Sequence, residues 1–317
     1  MSQITTGAPA EPRSHFKKAK TERTVWGLLF SLPWLIGFFG LTLIPTIQSA
    51  YYSLTDYSLI KGGKWVGFKN YVYLFTKDRL FATSIRNTIF MTVFGLIASL
   101  TVALLIALLL NVNIKGRSVF RTIFYIPSIL PTVASSLVWM WILNSKYGLL
   151  NGMLNAIGLK SVNWLGDANW TKPSLIIMGV WGCGNVMIIF LAALGDVSKS
   201  LYEAAEIDGA GTFKKFWHIT VPALTPTLLF QIITGVINGF QYFTQAYIIS
   251  NAGGAEQRTF GPENSMLFYA GYMYDRGFGR FNMGLACAMA WLLFIVAAIV
   301  TAVIVKSSKH WVYYGGE

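Results

Sequence analysis

The chain has 317 residues, of which 54% are hydrophobic and only 12% are charged. A soluble domain carries roughly 25% charged residues, so this composition cannot cover the protein with a water-facing surface. The mean hydropathy is +0.53. Together these values exclude a soluble enzyme and a disulfide-stapled secreted domain, and they indicate a protein that crosses a membrane several times.

Residues 1–25 are polar and contain a cluster of basic residues just before the first apolar run. The cluster consists of Arg13, Lys17, Lys18, Lys20 and Arg23. The apolar run that follows is longer than the 7 to 15 residues of a signal peptide, so it predicts a retained membrane helix. By the positive-inside rule, the basic cluster predicts that the N-terminal segment is cytoplasmic.

Uncharged apolar segments then repeat along the chain. They are 26–50, 87–110, 122–143, 174–195, 222–249 and 284–305. None of the 25 Lys and Arg or the 13 Asp and Glu falls inside them. Each exceeds the roughly 20 apolar residues that cross the hydrocarbon core as a helix. The sequence therefore predicts an all-α polytopic membrane protein, with a six-helix membrane domain over 26–305, a cytoplasmic loop at 196–221 and a cytoplasmic tail at 306–317.

Proline and glycine indicate how these helices pack. Prolines stand inside the first and third segments, at 33, 45, 127 and 131. Breaks of this kind need protein or water nearby to satisfy the freed carbonyl groups. Gly235 and Gly239 form a small-xxx-small pair in the fifth segment, which predicts a close contact with another helix.

The ionisable residues argue against several kinds of site. The net charge of +12 does not indicate nucleic-acid binding, because the basic residues flank apolar spans, where they anchor lipid headgroups. Cys183 and Cys287 lie inside predicted helices and are expected to pack as small apolar residues. His15, His218 and His310 are scattered, so no metal site is predicted. No charge lies in the middle of a span, whereas ion-coupled carriers commonly hold such residues there.

The loop 196–221 has the pattern of a helical hairpin. Ser200 and Glu203 are spaced as a capping box, in which each side chain satisfies the other residue's backbone N–H. Gly209 is placed to end this first helix, and Thr212 to begin a second helix that ends near Ile219. On pattern alone, the loop could equally be an interfacial connector.

Polar residues in the fourth and fifth segments are candidates for a substrate path. Asn238, Gln241 and Gln245 have the spacing of one helical face, with Tyr242 alongside, and Asn185 stands in the fourth segment. Amides and aromatic rings suit a sugar, because they bind its hydroxyl groups and its flat apolar surface. The alternative is that these groups only join helices to one another.

The loop also carries a recognisable motif. Glu203-Ala204-Ala205, Gly209 and Val221-Pro222 resemble the EAA loop of permease subunits in binding-protein-dependent ABC importers. The longer sequence EAAEIDGAGTFKKFWHITVPALTP is similar to that of the carbohydrate-uptake branch of this family. The resemblance extends over roughly residues 25–306. Further matching text is FRTIFYIPSILPTVASSLVWMW at 120–141, GLLN at 148–151 and WL at 164–165. Two departures are Val221 in place of the usual Leu and a longer outer loop at 251–283.

The resemblance implies a mechanical role for the loop. The family's coupling helix sits in a cleft of the ATP-binding subunit. The positions of this chain that match the coupling helix are Glu203, Ala204, Ala205, Asp208 and Gly209. Glu203 would contact the ATPase, the two alanines would permit close approach, and Gly209 would form the turn.

The resemblance further implies a permease subunit that moves a sugar, in particular an oligosaccharide, across the cytoplasmic membrane of a bacterium or archaeon. Its partners would be a second, different permease, an ATPase dimer and an extracytoplasmic solute-binding protein, with membrane lipid around it. ATP and Mg would bind the ATPase, since the chain lacks a GxxxxGK[ST] loop and is predicted to be neither an enzyme nor a holder of a cofactor. With no phosphate-binding cluster, neutral sugars are favoured over glycerol-phosphate-type substrates, and polyols remain open.

Two other classes of function are kept as alternatives. An ion-coupled secondary carrier is disfavoured by the uncharged spans. A membrane subunit that docks an ATPase without conducting solute is disfavoured by the polar residues of the fifth segment.

Overall fold

The computed structural model describes residues 13–112, 115–251 and 260–313, with side chains from residue 24 onward. Contacts divide the chain into two units, Met1–Tyr52 and Ser53–Glu317. Of the first unit, the structure describes one long helix made of α1 (Arg13–Gly37), a π-helical turn at Phe38–Leu43 and α2 (Ile44–Ser53). The helix continues past both Pro33 and Pro45. At Pro45, the wider π turn just before it accommodates the hydrogen bond that proline cannot donate.

The second unit is entirely helical apart from turns and isolated bridges in the residues described. Its helices are α3 (Lys69–Thr76), α4 (Arg79–Asn111), α5 (Arg117–Ile129), α6 (Thr132–Ile142), α7 (Leu149–Ala156), α8 (Ala168–Trp181), α9 (Gly184–Gly195), α10 (Lys199–Ile207), α11 (Thr212–Lys215), α12 (Val221–Phe240), α13 (Thr244–Asn251), α14 (Tyr269–Tyr274) and α15 (Met283–Ser308). Of the predicted outer loop 251–283, residues 252–259 lie outside the described residues.

The described helices include four to six candidate membrane spans. Thr24–Ser53, Arg79–Asn111, Thr212–Asn251 and Met283–Ser308 are each long and apolar enough to cross a bilayer. The number rises to six if α5 with α6, and α8 with α9, each count as one span. The all-helical membrane class is thus confirmed, and the helix that contains the second predicted span begins at Arg79.

The third predicted span is sharply bent. Helices α5 and α6 meet at an angle of 101°. Leu130, between them, has extended backbone angles of −66° and 136°. The ring of Pro131 disfavours a helical conformation in the residue before it, which is consistent with the break at Leu130, whereas α5 continues through Pro127.

Glycine also shapes the fourth span, whose halves α8 and α9 meet at 50°. A Cβ on Gly184, at the start of α9, would lie 2.6 Å from the Phe124 carbonyl oxygen and 2.9 Å from Tyr125 Cα. Only glycine therefore permits α5 to lie against the start of α9.

Helix α4 lies at the centre of the second unit, where small residues bring its neighbours close. Ala103 and Ala107 are fully buried in one apolar cluster with Met187 and Phe190 of α9. On another side, a Cβ at Gly239 of α12 would lie 2.7 Å from the Thr92 side chain. The close contact predicted from the glycine pair is thus confirmed, and its partner is α4.

Candidate functional site

Helix α10 ends in a Schellman motif. The Ala210 N–H donates to the Ala205 carbonyl at 2.8 Å, and the Gly209 N–H donates to the Glu206 carbonyl at 3.0 Å. Gly209 has a φ of +75°, the left-handed conformation that this motif requires. The predicted end of the helix at Gly209 is confirmed.

The second helix of the loop does not end near Ile219 as predicted. From α11 the chain passes through a π-helical turn, Phe216–Thr220, directly into α12. Pro222 has no N–H to donate to the carbonyl of His218, and the wider π turn just before it accommodates this loss. The loop is therefore continuous with a helix of the membrane domain.

Two side-chain contacts connect α10 to the base of α12. The Lys215 ammonium donates to Glu206 Oε1 at 2.7 Å, and the Tyr202 hydroxyl oxygen lies 2.9 Å from Thr220 Oγ1. The hydrogen bond from Lys215, and its positive charge, hold the pKa of Glu206 below its ordinary value. The two contacts therefore join α10 to α11 and to the π turn that leads into α12.

The capping box predicted from Ser200 and Glu203 is wrong. Helix α10 begins at Lys199 with Ser198 as its N-cap residue, so Ser200 lies inside the first turn, with its hydroxyl 2.7 Å from Ser198 Oγ. Glu203 is exposed and, among the residues described, has no hydrogen-bond or ion-pair partner. Its carboxylate is free to bind a group on another protein.

The loop that carries Glu203 also exposes large apolar side chains. Ile207, one helical turn after Glu203, is 87% exposed, and Leu201, Phe213 and Trp217 are also mostly exposed. Ala204 and Asp208 are exposed as well, and Ala205 is half-buried. Several exposed apolar side chains in one short loop with a free carboxylate are more typical of a protein–protein contact than of a simple connector.

A cavity of about 300 Å³ lies between α4, α8, α9 and α12. Its wall is mainly apolar, and its polar groups come from Thr92, Ser99, Gln231, Thr234, Asn238 and Tyr242. A few amides and hydroxyl groups set among apolar and aromatic side chains form the usual wall of a small-molecule site.

The prediction that Asn238, Gln241 and Gln245 share one helical face is wrong. Helix α12 ends at Phe240, and α13 begins only at Thr244. The aromatic residues in the break pack apart, with Tyr242 against Phe268 at 5.1 Å and Phe243 against Tyr274 at 5.2 Å between ring centroids. These tertiary contacts outweigh the preference for a continuous helix.

The break separates the predicted path residues. Asn238 and Tyr242 line the cavity, and the Tyr242 hydroxyl donates to Gln245 Oε1 at 2.7 Å, which orients it. Gln241 instead lines a largely apolar groove of about 1000 Å³ beside α15. Asn185 is exposed at the start of α9, next to Val186, which lines the cavity.

Four polar residues of the cavity, Thr92, Ser99, Gln231 and Thr234, were not predicted, and two of them are buried without a partner. Thr92 and Gln231 are only 5% and 6% exposed. Thr92 Oγ1 and Gln231 Nε2 have no hydrogen-bond partner among the described residues. A buried polar atom without a partner costs about 1–3 kcal/mol, so a ligand or water is expected to bind there. Their signal in the sequence was weak, because each stands among several other uncharged polar residues in its span.

Residues 99–312 match the family described as binding-protein-dependent transport system inner membrane component. The match includes the α10 loop, α8, α9 and α12. The chain belongs to this family. It is therefore a multi-pass protein of the inner membrane and a permease component of an ABC importer system.

Relatives extend the match over nearly the whole chain. The probable ABC transporter permease protein YesP of Bacillus subtilis (strain 168) is 36% identical over 302 residues, covering 94% of this chain and 96% of its own. The arabinooligosaccharides transport system permease protein AraP of the same organism is 31% identical over 285 residues, covering 88% and 87%. The trehalose/maltose transport system permease protein MalF of Thermococcus litoralis is 31% identical over 294 residues, covering 92% and 96%.

Solved structures share the fold. A chain from a bacterial ABC transporter involved in the import of the acidic polysaccharide alginate superposes with a TM-score of 0.75 at 24% identity, covering 94% of this chain and 99% of that one. A chain of the alginate transporter in complex with an alginate pentasaccharide-bound periplasmic protein gives a TM-score of 0.74 at 25% identity, covering 92% and 96%.

Proposed function

We propose that this chain is one of two different permease subunits that together move an oligosaccharide across the cytoplasmic membrane, driven by ATP hydrolysis on partner subunits. The observation that carries the proposal is helix α10, which presents the unpartnered carboxylate of Glu203 while it is linked to the base of α12. The relatives named for arabinooligosaccharide and trehalose/maltose transport support a sugar as the solute.

The proposed partners follow from the family's description. A binding protein outside the membrane would deliver the solute, and an ATPase dimer inside would bind ATP and Mg. The chain itself would perform no chemical catalysis and hold no cofactor. Both termini, with α10, would then lie on the cytoplasmic side.

The contacts of α10 suggest how ATP-driven motion would reach the solute. Closure of the ATPase dimer would displace α10, and the Tyr202–Thr220 and Glu206–Lys215 contacts would pass this displacement to α12. Because α12 supplies Asn238 to the wall of the cavity, its movement would open the cavity to one side of the membrane and then to the other. Rigid helices with two alternative arrangements can transmit such coupling between two separate sites.

The cavity is the proposed site of solute passage. Asn238, Thr234 and Ser99 would bind sugar hydroxyl groups, and the ring of Tyr242 would contact an apolar sugar face. The buried, unpartnered Gln231 Nε2 would donate to a sugar oxygen deeper in the cavity.

The test is uptake of oligosaccharides by cells that carry the complete transporter with variants of this chain. Asn238→Ala should raise the half-saturating concentration, and Gln241→Ala, which faces the other groove, should change it much less at equal amounts of protein in the membrane. Inactivating the partner ATPase should abolish uptake. Uptake that survives this inactivation and collapses with a protonophore would instead support a secondary carrier, and uptake that no cavity variant alters would support a non-conducting subunit.

A further inference from the structure

A second pocket, of about 520 Å³, lies at the ends of the spans that face away from α10. Its wall comes from the end of α6 and the turn after it, the segment before α8, the end of α13 and the turn that contains Met266. Helices α8 and α9 lead from this wall to α10, and the span Thr212–Asn251 leads from the α10 loop back to it. We call it the outer pocket, because under the proposed function this is the outer side of the membrane.

The buried amide of Asn151, in α7, holds two parts of this wall together. Asn151 is only 2% exposed. Its Nδ2 donates to the Ser145 carbonyl at 3.0 Å and to the Val162 carbonyl at 2.9 Å. Its Oδ1 accepts from the Val162 N–H at 3.0 Å and from Trp164 Nε1 at 2.9 Å. Both donors and both acceptor positions of the amide are used, so the turn after α6 and the segment before α8 are fixed relative to each other.

Two other asparagines of the wall each keep an amide donor free. Asn144 Oδ1 accepts from the N–H groups of Lys146 and Tyr147 at 2.9 and 3.2 Å, and Asn163 Oδ1 accepts from the Gly166 N–H at 3.1 Å. These bonds engage the oxygen of each side chain and so orient its amide group. Neither Nδ2 donates to any residue that the structure describes. Donors held in place before a ligand arrives bind its oxygen atoms at a lower entropic cost.

A narrow space of about 10 Å³, the neck, connects the outer pocket with the cavity between α4 and α12. Ser250 and Met266 line both the neck and the outer pocket, and Tyr242 lines both the neck and the cavity. The rings of Tyr242 and Phe268 lie 5.1 Å apart, and both Phe268 and Met266 are almost fully buried. A space of this size holds about one water molecule, so the neck is closed to a sugar in this structure.

We propose that the outer pocket is a second binding site for the transported saccharide, held there by Asn144, Ser145 and Asn163 before the neck opens. This inference rests on the proposed function. The connection to the cavity favours a solute, and no charged or aromatic side chain is among the described residues that line the pocket. Contacts between proteins are enriched in aromatic residues and Arg, so a docked segment of the binding protein is the less favoured occupant.

The test is protection of a single cysteine in the purified complete transporter in lipid nanodiscs, without the binding protein. Ser145→Cys is made in a chain with Cys183→Ala and Cys287→Ala, and its rate of labelling by a polar thiol reagent is measured. The added saccharide is whichever of two pools, maltooligosaccharides or arabinooligosaccharides, wild-type cells import, at concentrations up to its solubility limit. Ser161→Cys is the control, because Ser161 is exposed in the segment before α8 and does not line the pocket.

The saccharide should slow labelling of Ser145→Cys at least threefold and leave that of Ser161→Cys unchanged. Equal rates with and without saccharide would overturn the inference. So would labelling of Ser145→Cys that is slowed by the binding protein without saccharide but never by saccharide alone, which would indicate protein docking.

Replacement of Asn163 by Asp tests the free donor without disturbing the turn. Asn163→Asp keeps the oxygen that accepts from Gly166 and removes only the Nδ2 donor. It should raise the saccharide concentration for half-maximal protection about three- to tenfold, because one hydrogen bond is lost. Asn169→Asp adds the same charge at an exposed position outside the pocket and should match the unmodified background. Equal concentrations for both variants would contradict the assigned contact.

Uptake by cells separates failure of this inference from failure of the proposed function. Wild-type cells that import a saccharide which gives no protection would contradict only the outer binding site. Wild-type cells that import neither pool would contradict the proposed function, and this inference with it.

Discussion

The Tyr272 hydroxyl group donates to the Asp78 carboxylate, with distances of 2.7 and 2.6 Å to its two oxygens. Arg276 joins the pair, with Nη2 2.8 Å from Asp78 Oδ2 and Nε 2.8 Å from the Tyr272 oxygen. Asp78 also caps α4 by accepting from the Leu80 N–H at 3.1 Å. The network therefore joins the first turn of the central helix to α14, and Tyr272 within it is fully buried.

Loss of one partner of this network should destabilise the fold. Arg276→Met leaves the buried Asp78 carboxylate without its counter-charge and should cost about 3–5 kcal/mol. Tyr272→Phe removes one hydrogen-bonding group and should cost about 1–3 kcal/mol. Thermal unfolding in mild detergent measures both, and Tyr147→Phe, at an exposed site, is the control. A Tyr272→Phe protein as stable as that control would show that the Tyr272 hydroxyl contributes nothing to stability, and an equally stable Arg276→Met protein would show the same for the ion pair.

The turn at Gly209 should be far less tolerant of substitution than the neighbouring Gly211. At a φ of +75°, an alanine at 209 is strained by roughly 1–2 kcal/mol. Proline cannot adopt that angle and loses the hydrogen bond to Glu206. Gly211 has a φ of −67° and nothing within 4 Å of an added Cβ. Gly209→Pro should therefore abolish transport without reducing insertion, while Gly211→Ala transports normally. Substrate-stimulated ATPase activity that survives Gly209→Pro would contradict the mechanical role of the loop.

The contact between α4 and α12 should be sensitive at Gly239. An added Cβ would lie 2.7 Å from Thr92 Cγ2, and the short, branched threonine side chain cannot move aside. Gly239→Ala should cost about 1–3 kcal/mol by overpacking, and Thr92→Ala should recover part of the loss. Gly179→Ala is the control, because nothing lies within 4 Å of its added Cβ. Equal melting temperatures for the two alanine variants would rule out this close contact.

Glu203 and Glu206 allow a matched test of docking. Glu203 is unpartnered, whereas Glu206 pairs with Lys215 within the loop. Glu203→Gln should lower retention of the ATPase during purification by roughly tenfold, if one charge-assisted contact is lost. Glu206→Gln should lower it much less. Retention is measured as the ratio of ATPase to permease after washing, and equal ratios in the two variants would refute the prediction.

The sequence predicted those features that depend on residues close to one another along the chain. Uncharged apolar runs predicted membrane helices because burying charge in hydrocarbon is costly. Gly209 was predicted to end a helix because glycine alone takes the left-handed conformation easily. The close contact at Gly239 was predicted from spacing, although the sequence could not show that its partner is Thr92 of α4.

Features that depend on long-range packing were not predicted. The break after Phe240 arises because Tyr242 and Phe243 pack on rings distant in the sequence, Phe268 and Tyr274. For this reason Gln241 lies in a different groove from Asn238, which the helical spacing alone had placed on the same face. The pairing of Asp78 with Tyr272 spans 194 positions, so no local pattern could indicate it.

The most direct measurement is purification of the tagged chain in mild detergent from its native membrane, followed by identification of the proteins that remain bound. The proposed function predicts a second, different permease and an ATPase bound to the wild-type chain, with the ATPase lost from Gly209→Pro. A wild-type chain that purifies alone, or with no ATPase, would contradict it.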